Sequence, residues 1–198
     1  MLLEIPDDGR PILFVSDAHL GAASGHPERE ERLLQFLRGY RERAAAVFLM
    51  GDLFDFWFEY RHAIPKGTFR VARALAELVE SGVRTAYFGG NHDFWVGSFL
   101  ESEIGLAVFQ EPVTATLQGR RVHLAHGDGL GPGDAGYKLL KRVLRSRWAI
   151  AGYRSVLHPD LGIPLARRVS AFSHKHTESR EVLLPRVLRD IASRRIRG

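Results

Sequence analysis

Four short polar motifs in this 198-residue chain combine carboxylate, amide and imidazole side chains that could bind metal ions. In chain order they are Ser16-Asp17-Ala18-His19, Gly51-Asp52-Leu53-Phe54-Asp55, Gly89-Gly90-Asn91-His92-Asp93 and Ala125-His126-Gly127-Asp128. Mixed oxygen and imidazole ligands suit manganese, iron or zinc better than calcium. Because the chain contains no cysteine, thiolate zinc sites, disulfides and cysteine nucleophiles are excluded.

The types and order of these residues predict a site for two divalent metal ions. Asp17 and His19 would bind one ion, Asn91 and His126 would bind the other, and the Asp52 carboxylate could bridge the pair. Two ions about 3.5–4 Å apart can stabilise both the attacking and the leaving oxygen of a phosphoryl displacement. The predicted chemistry is therefore metal-dependent hydrolysis of a phosphoester.

His92 and Asp93 are the predicted catalytic residues. His92 follows Asn91, so it could stabilise charge on the phosphoryl group or protonate the leaving oxygen, and Asp93 could orient it. Asn91 and His92 are also expected to contact the substrate. Each motif alone has a simpler interpretation, as a polar turn or a buried histidine, and Asp55, Asp93 and Asp128 could be turn or supporting residues. The prediction depends on all four motifs following apolar runs in order.

The apolar runs before the motifs predict the strands that position them. Predicted strands cover 12–15, 47–50 and 85–88, and helices beginning at Pro27 and at about Phe69 separate them. Continuous apolar runs separated by helices are typical of parallel strands covered on both faces, whose carboxyl ends meet at one edge of the sheet. A hairpin is predicted from 113–117 and 122–125 around Gly119. The fold class is therefore α/β.

Charge and hydropathy are distributed unevenly along the chain. Residues 1–136 carry 13 Lys/Arg and 19 Asp/Glu, whereas residues 137–198 carry 15 and 4. A basic segment of this kind suits nucleic acid, an anionic membrane or a phosphorylated substrate. With 45% hydrophobic and 26% charged residues, wholesale disorder is excluded, and no secretory signal or spanning apolar run is present, so a cytoplasmic protein is expected.

The motifs resemble the signature of the calcineurin-like metallophosphoesterase superfamily. More narrowly, GDLFDFWFEYRHAIPKG, GNHDFW and HGDGLGPGDAGYKLLKRVLRSRW resemble the UDP-2,3-diacylglucosamine pyrophosphatase subfamily. The resemblance implies a four-layer αββα sandwich, here a core over 1–136, with a C-terminal helical lid over 137–198. It also implies manganese at both metal positions and hydrolysis of UDP-2,3-diacylglucosamine to UMP and diacylglucosamine 1-phosphate in lipid A synthesis. Peripheral attachment to the cytoplasmic face of the inner membrane is implied as well.

The same resemblance implies further substrate contacts and one departure from the family pattern. Asp134 and Tyr137 match residues that line the substrate site, and Ser173 and Lys175 lie where the lid contributes polar contacts. The terminal Gly-His-x-His of the family is absent. Because the His174–His176 spacing occurs in a basic, helix-like stretch, we expect that the chain lacks the last strands of the fold, and with them a histidine ligand to each metal ion.

Residues 137–150 form a basic amphipathic pattern that has two interpretations. Leu140, Val143, Leu144 and Trp148 share one helical face among several Lys and Arg residues. This pattern suits an interfacial membrane helix, but it equally suits a helix packed on the core; the resemblance favours lid and membrane contact. Two alternative functions are a nuclease or general phosphodiesterase, and an inactive scaffold. Nucleic acid is disfavoured because few aromatic residues alternate with the basic ones.

Overall fold

A computed structural model describes residues 3–21, 27–93, 95–127, 146–158, 160–162 and 164. Of the described residues, those within 1–59 and 64–126 form one unit, and those within 60–63 and 127–198 form a second. The predicted domain boundary at 136 lies outside the described residues and stays a prediction.

The first unit contains seven strands and three helices among its described residues. They are β1 (Leu3–Ile5), β2 (Ile12–Val15), α1 (Pro27–Tyr40), β3 (Ala46–Leu49), α2 (Phe69–Glu80), β4 (Arg84–Phe88), α3 (Phe99–Ser102), β5 (Ala107–Phe109), β6 (Val113–Leu117) and β7 (Arg120–Leu124). Strands β2, β3, β4 and β5 pair in that order, all parallel. The predicted α/β class and its alternation of strands and helices are confirmed.

A second sheet contains β1, β6 and β7 in that order. Strand β1 pairs parallel to β6, and β6 pairs antiparallel to β7. The predicted hairpin is thus confirmed, with Gln118 and Gly119 at its turn at φ 49° and 75°. Two positive φ values in a two-residue loop are typical of a type I′ turn, whose twist matches that of the flanking strands. Strand β1 was not predicted.

Strand β3 shows how the layers are arranged. Val47 and Leu49 pack in a core with α1 and α2 residues such as Leu34 and Leu75. Phe48, on the opposite face, packs in a second core with residues of β1, β6 and β7. The described part of the first unit therefore has a helical layer and two sheets, which is why the apolar run of β3 is continuous rather than alternating. The second helical layer and the lid stay predictions.

The second unit contains a helix over Arg147–Val156. The Ser146 hydroxyl oxygen accepts a hydrogen bond from the Ala149 amide at 3.2 Å, as an N-cap residue does. Three apolar side chains of this unit are exposed: Trp148 at 88%, Val156 at 82% and Leu161 at 68%. Most of the predicted amphipathic segment 137–150 lies outside the described residues. Within the described part of the chain, we find no helix with the length and apolarity needed to cross a membrane.

Candidate metal centre

The first two polar motifs are held together by backbone pairing that continues beyond β2 and β3. The Asp17 amide donates to the Gly51 carbonyl at 3.1 Å, and the His19 amide donates to the Asp52 carbonyl at 2.9 Å. The next rung joins the Leu20 amide to the Leu53 carbonyl at 2.9 Å. The predicted ligands of these two motifs therefore leave adjacent strand ends in a fixed register.

Three predicted metal ligands have left-handed backbone conformations. Asp17, His19 and Asp52 have φ values of 55°, 47° and 52°. Positive φ is uncommon outside glycine and costs on the order of 1–3 kcal/mol per residue when it is held. Such strain persists only where the surrounding structure imposes it, and it clusters at functional sites. Its concentration on these three residues supports a functional role for them.

Two glycines let the third and fourth motifs approach Asp52 closely. A Cβ added to Gly90 would lie 2.8 Å from the Asp52 Cγ, and one added to Gly51 would lie 2.7 Å from the Cγ of His126. The same Gly51 Cβ would lie 3.0 Å from the Gly90 Cα. Side chains at either position would therefore separate the polar motifs from each other.

The His126 imidazole is oriented so that its Nε2 atom points at two oxygen atoms. Nδ1 lies 2.8 Å from the Met50 carbonyl oxygen, a group that only accepts, so Nδ1 carries a hydrogen. Nε2 lies 3.3 Å from the Asn91 Oδ1 and 3.4 Å from the Asp52 Oδ2. In the neutral ring Nε2 carries a lone pair, so this nitrogen and the two oxygens are three donor atoms close enough together to bind one cation.

Asp52 belongs to two separate groups of possible ligands. Ligand atoms of Asp17, Asp52 and His126 all lie within 4.8 Å of one another, and so do those of His19, Asp52 and His92. A carboxylate that bridges two ions needs this arrangement. The two groups place Asp17 with His126 and His19 with His92, whereas the sequence predicted Asp17 and His19 at the same ion. The donor set, which contains imidazole and carboxylate groups, suits transition-metal ions.

The His19 and His92 rings meet edge to face, with their centroids 5.1 Å apart. His19 also has two carboxylates near its ring nitrogens, with Asp55 Oδ1 3.8 Å from Nδ1 and Asp17 Oδ1 3.9 Å from Nε2. Asp55 is 7% exposed. A buried carboxylate beside the Nδ1 atom of a histidine suits a residue that fixes the orientation of a ligand ring.

Opposing effects act on the pKa of the buried Asp52. Burial works to raise its pKa, but when no metal ion is bound the His126 ring can be protonated, and its hydrogen bond and charge, together with the charge of His92, outweigh burial. The pKa of Asp52 is therefore lowered overall. The His92 amide also donates to Asp52 Oδ1 at 2.9 Å. Asp52 therefore remains an anion at neutral pH, as a bridging ligand must.

Asp93 contacts the backbone of the site. It is fully buried, and its Oδ1 accepts from the Asp52 and Gly90 amides at 3.2 and 2.9 Å, while its Oδ2 accepts from the Phe54 amide at 3.2 Å. Burial, followed by the negative charge of Asp52, raises the pKa of Asp93 to about 6. These contacts fix the two loops relative to each other. The predicted orientation of His92 by Asp93 stays a prediction.

Glu59 is a buried acidic residue that the sequence interpretation did not single out. It is 5% exposed, and it accepts hydrogen bonds from the Trp57 indole and the Phe99 amide. The signal available in the sequence was an acidic residue inside the aromatic run FDFWFEY.

Four of the predicted substrate contacts lie outside the described residues: Asp134, Tyr137, Ser173 and Lys175. Asp128, of the fourth motif, also lies outside them.

A sequence comparison decides the family. The calcineurin-like phosphoesterase family model matches residues 10–161. The chain belongs to the calcineurin-like phosphoesterase family. The resemblance inferred from the motifs is thereby confirmed, and the matched residues include every predicted metal ligand.

Similar calcineurin-like phosphoesterases include several proteins named UDP-2,3-diacylglucosamine hydrolase. The one from Porphyromonas gingivalis is 38% identical over 176 residues, which is 87% of this chain and 66% of that protein. Those from Aeromonas hydrophila and Neisseria gonorrhoeae are each 35% identical over 163 and 139 residues, or 82% and 70% of this chain. The chain spans 63% and 57% of the length of these two relatives.

Proposed function

We propose that this chain binds two divalent metal ions and hydrolyses the pyrophosphate linkage of UDP-2,3-diacylglucosamine, giving UMP and diacylglucosamine 1-phosphate. The observation that carries the proposal is the position of Asp52, which lies in both groups of possible ligands. The name of the similar proteins, UDP-2,3-diacylglucosamine hydrolase, supports the choice of substrate.

In this proposal five residues hold the ions: Asp17, His19, Asp52, Asn91 and His126. Carboxylate, amide and imidazole donors suit manganese, iron or zinc, and the resemblance to the UDP-2,3-diacylglucosamine pyrophosphatase subfamily favours manganese among them. Two such ions polarise a phosphoryl oxygen and acidify water. The carbonyl of Met50 holds the His126 ring, and the His92 amide holds the Asp52 carboxylate.

His92 is the proposed catalytic side chain. Its ring lies against His19, and one of its nitrogens belongs to the group of possible ligands with His19 and Asp52, so His92 borders the metal centre. From that position an imidazole can protonate the leaving oxygen or stabilise charge on the phosphoryl group. Asn91 and His92 would contact the substrate, together with Asp134, Tyr137, Ser173 and Lys175. Asp93 accepts hydrogen bonds from the backbone amides of Asp52, Phe54 and Gly90, and it would act by holding these residues in place.

The proposed substrate is lipid-linked, and we place the protein at the anionic cytoplasmic face of the inner membrane. The exposed Trp148, Val156 and Leu161 give the second unit an apolar surface, and the residues after 136 are strongly basic. Apolar contact combined with cations is what binding to an anionic lipid interface needs. The protein should sediment with anionic vesicles at low salt, and Trp148→Ala should weaken that binding. Equal binding to neutral vesicles would contradict the placement.

The function is tested by adding manganese to chelator-treated protein and measuring UMP release from UDP-2,3-diacylglucosamine. Manganese-dependent UMP release that is lost in Asp52→Asn is the expected result. A short DNA duplex and a simple phosphodiester are assayed in parallel. Cleavage of DNA without UMP release would favour the nuclease alternative. Failure to bind any divalent transition metal would favour the scaffold.

A further inference from the structure

Glu59 links two segments that leave the metal centre, one that follows Asp52 and one that follows Asn91. It does so at a point away from the predicted ligands. It lies on the segment that follows Asp52, and its Oε1 accepts from the Trp57 indole at 2.9 Å. Its Oε2 accepts from the backbone amide of Phe99, at 3.1 Å, on the segment that follows Asn91. One carboxylate thus bonds to both segments.

The contacts between these segments are reciprocal. Close to the predicted ligands, Asp93 of the second segment accepts hydrogen bonds from the Asp52 and Phe54 amides of the first. Farther from the ligands, Glu59 of the first segment accepts a hydrogen bond from the Phe99 amide of the second. Between them, Phe58 and Trp95 form a parallel bridge, with their ring centroids 4.8 Å apart. Two buried carboxylates therefore define how the Asn91 segment lies against the Asp52 segment.

We propose that Glu59 is a positioning residue for the metal centre, which holds the segment carrying Asn91 and His92 in register with the segment carrying Asp52. Its part in hydrolysis rests on the proposed function, whereas its effect on metal binding is measured without any substrate. Burying a carboxylate is costly unless its oxygens are hydrogen-bonded, so a side chain used only for packing would be better apolar. Glu59 instead directs both oxygens at N–H donors.

The surroundings of Glu59 make its substitution informative. Glutamine has the same shape, but it must point its NH₂ group at either the Trp57 indole or the Phe99 amide, both of which donate. Gly97 lies against the carboxylate from the second segment, and a Cβ there would lie 3.0 Å from the Glu59 Cδ. Glu59→Gln and Gly97→Ala therefore disturb the same contact from opposite sides.

The test compares manganese affinity, measured by electron paramagnetic resonance, in wild type, Glu59→Gln, Gly97→Ala and the control Glu101→Gln. Glu101 lies on α3 but is exposed. We expect both test variants to bind manganese about 10- to 100-fold more weakly, the range typical of residues that orient ligands, and the control to match wild type. For UMP release, kcat should fall while KM changes little, because the effect is on the metal centre.

Melting in chelator separates positioning from a purely structural role. If both folded variants melt at lower temperature yet keep wild-type manganese affinity, the proposal is overturned. If Glu59→Gln does not fold, Gly97→Ala alone decides, and wild-type manganese affinity in that variant also overturns the proposal. Absence of UMP release from wild type would count against the proposed function and leave the manganese comparison decisive for Glu59.

Discussion

Replacing Gly90 by alanine should damage the metal centre more than it damages the fold. The added Cβ would lie 2.5 Å from the Asp52 amide nitrogen and 2.8 Å from its Cγ, and closer still to Oδ1. Ordinary contact begins near 3.4 Å, so Asp52 or Gly90 must move by at least about 0.9 Å. Asp52 is buried and is held through its amide by Asp93, so it has little space in which to move.

Two magnitudes follow from that displacement. Overpacking a buried site costs about 1–3 kcal/mol, which for a chain of this size lowers Tm by about 2–12 °C. Misplacing a catalytic group by about 1 Å costs about 100-fold in rate. We therefore expect a folded variant with weakened manganese binding and hydrolysis reduced about 10- to 100-fold.

The assay combines calorimetric titration with manganese, thermal melting in chelator, and UMP release. Gly39→Ala is the matched control, because Gly39 lies in α1 and a Cβ there meets nothing within 4 Å. That control should gain up to about 1 kcal/mol of stability, as expected for alanine in a helix, without altering metal affinity. A Gly90→Ala variant with wild-type manganese affinity and melting would refute the close-approach argument.

Three further predictions concern other groups. His126→Ala should lose one manganese equivalent and about 1,000-fold in kcat/KM, or about 4 kcal/mol, whereas His123→Ala, an exposed β7 residue beside Thr114, should resemble wild type in both assays. In metal-free protein the folded pKa of Asp93 is about 6 and its ordinary value is 3.8, so the folded state binds more protons between these values. The free energy of unfolding should therefore fall by up to about 3 kcal/mol as pH rises through that window, and urea titrations of Asp93→Asn should lack this slope. Arg70→Ala, which removes exposed ion pairs to Glu30 and Glu31, should cost less than about 1 kcal/mol by the same urea method, and altered manganese affinity would contradict its assignment as a surface residue.

The strands that carry the polar motifs could be predicted because burial on both faces leaves a clear signal. The run at 47–50 corresponds to β3, which is buried along its whole length, and the run at 85–88 corresponds to β4, which begins one residue earlier. Parallel strands place their carboxyl ends at one edge, so the convergence of Asp17, Asp52 and Asn91 followed from order alone. The prediction of their ligand roles awaits the metal measurements.

Other features have no local signal in the sequence. Strand β1 has three residues, and its partner β6 lies more than a hundred residues later, so its pairing depends on the tertiary fold. The left-handed backbone at His19 accompanies the hydrogen bond from its amide to the Asp52 carbonyl. Histidine adopts this conformation more often than most other non-glycine residues, but nothing in the local sequence specifies it at this position. Glu59 lies in the aromatic run FDFWFEY, which points to burial, but its hydrogen bond from the Phe99 amide joins residues far apart in the chain and depends on the tertiary fold.

Backbone hydrogen bonds continue beyond the last residues of β2 and β3, and they fix the number of residues in the two segments that follow these strands. Asp17 pairs with Gly51, His19 with Asp52 and Leu20 with Leu53, and the Asp55 amide then returns to the Leu20 carbonyl. An insertion or deletion in either segment would shift every hydrogen bond that follows it and turn the predicted ligands away from one another. Homologues and engineered variants should therefore show no insertions or deletions within residues 16–20 and 51–55, although most surface loops accept changes in length.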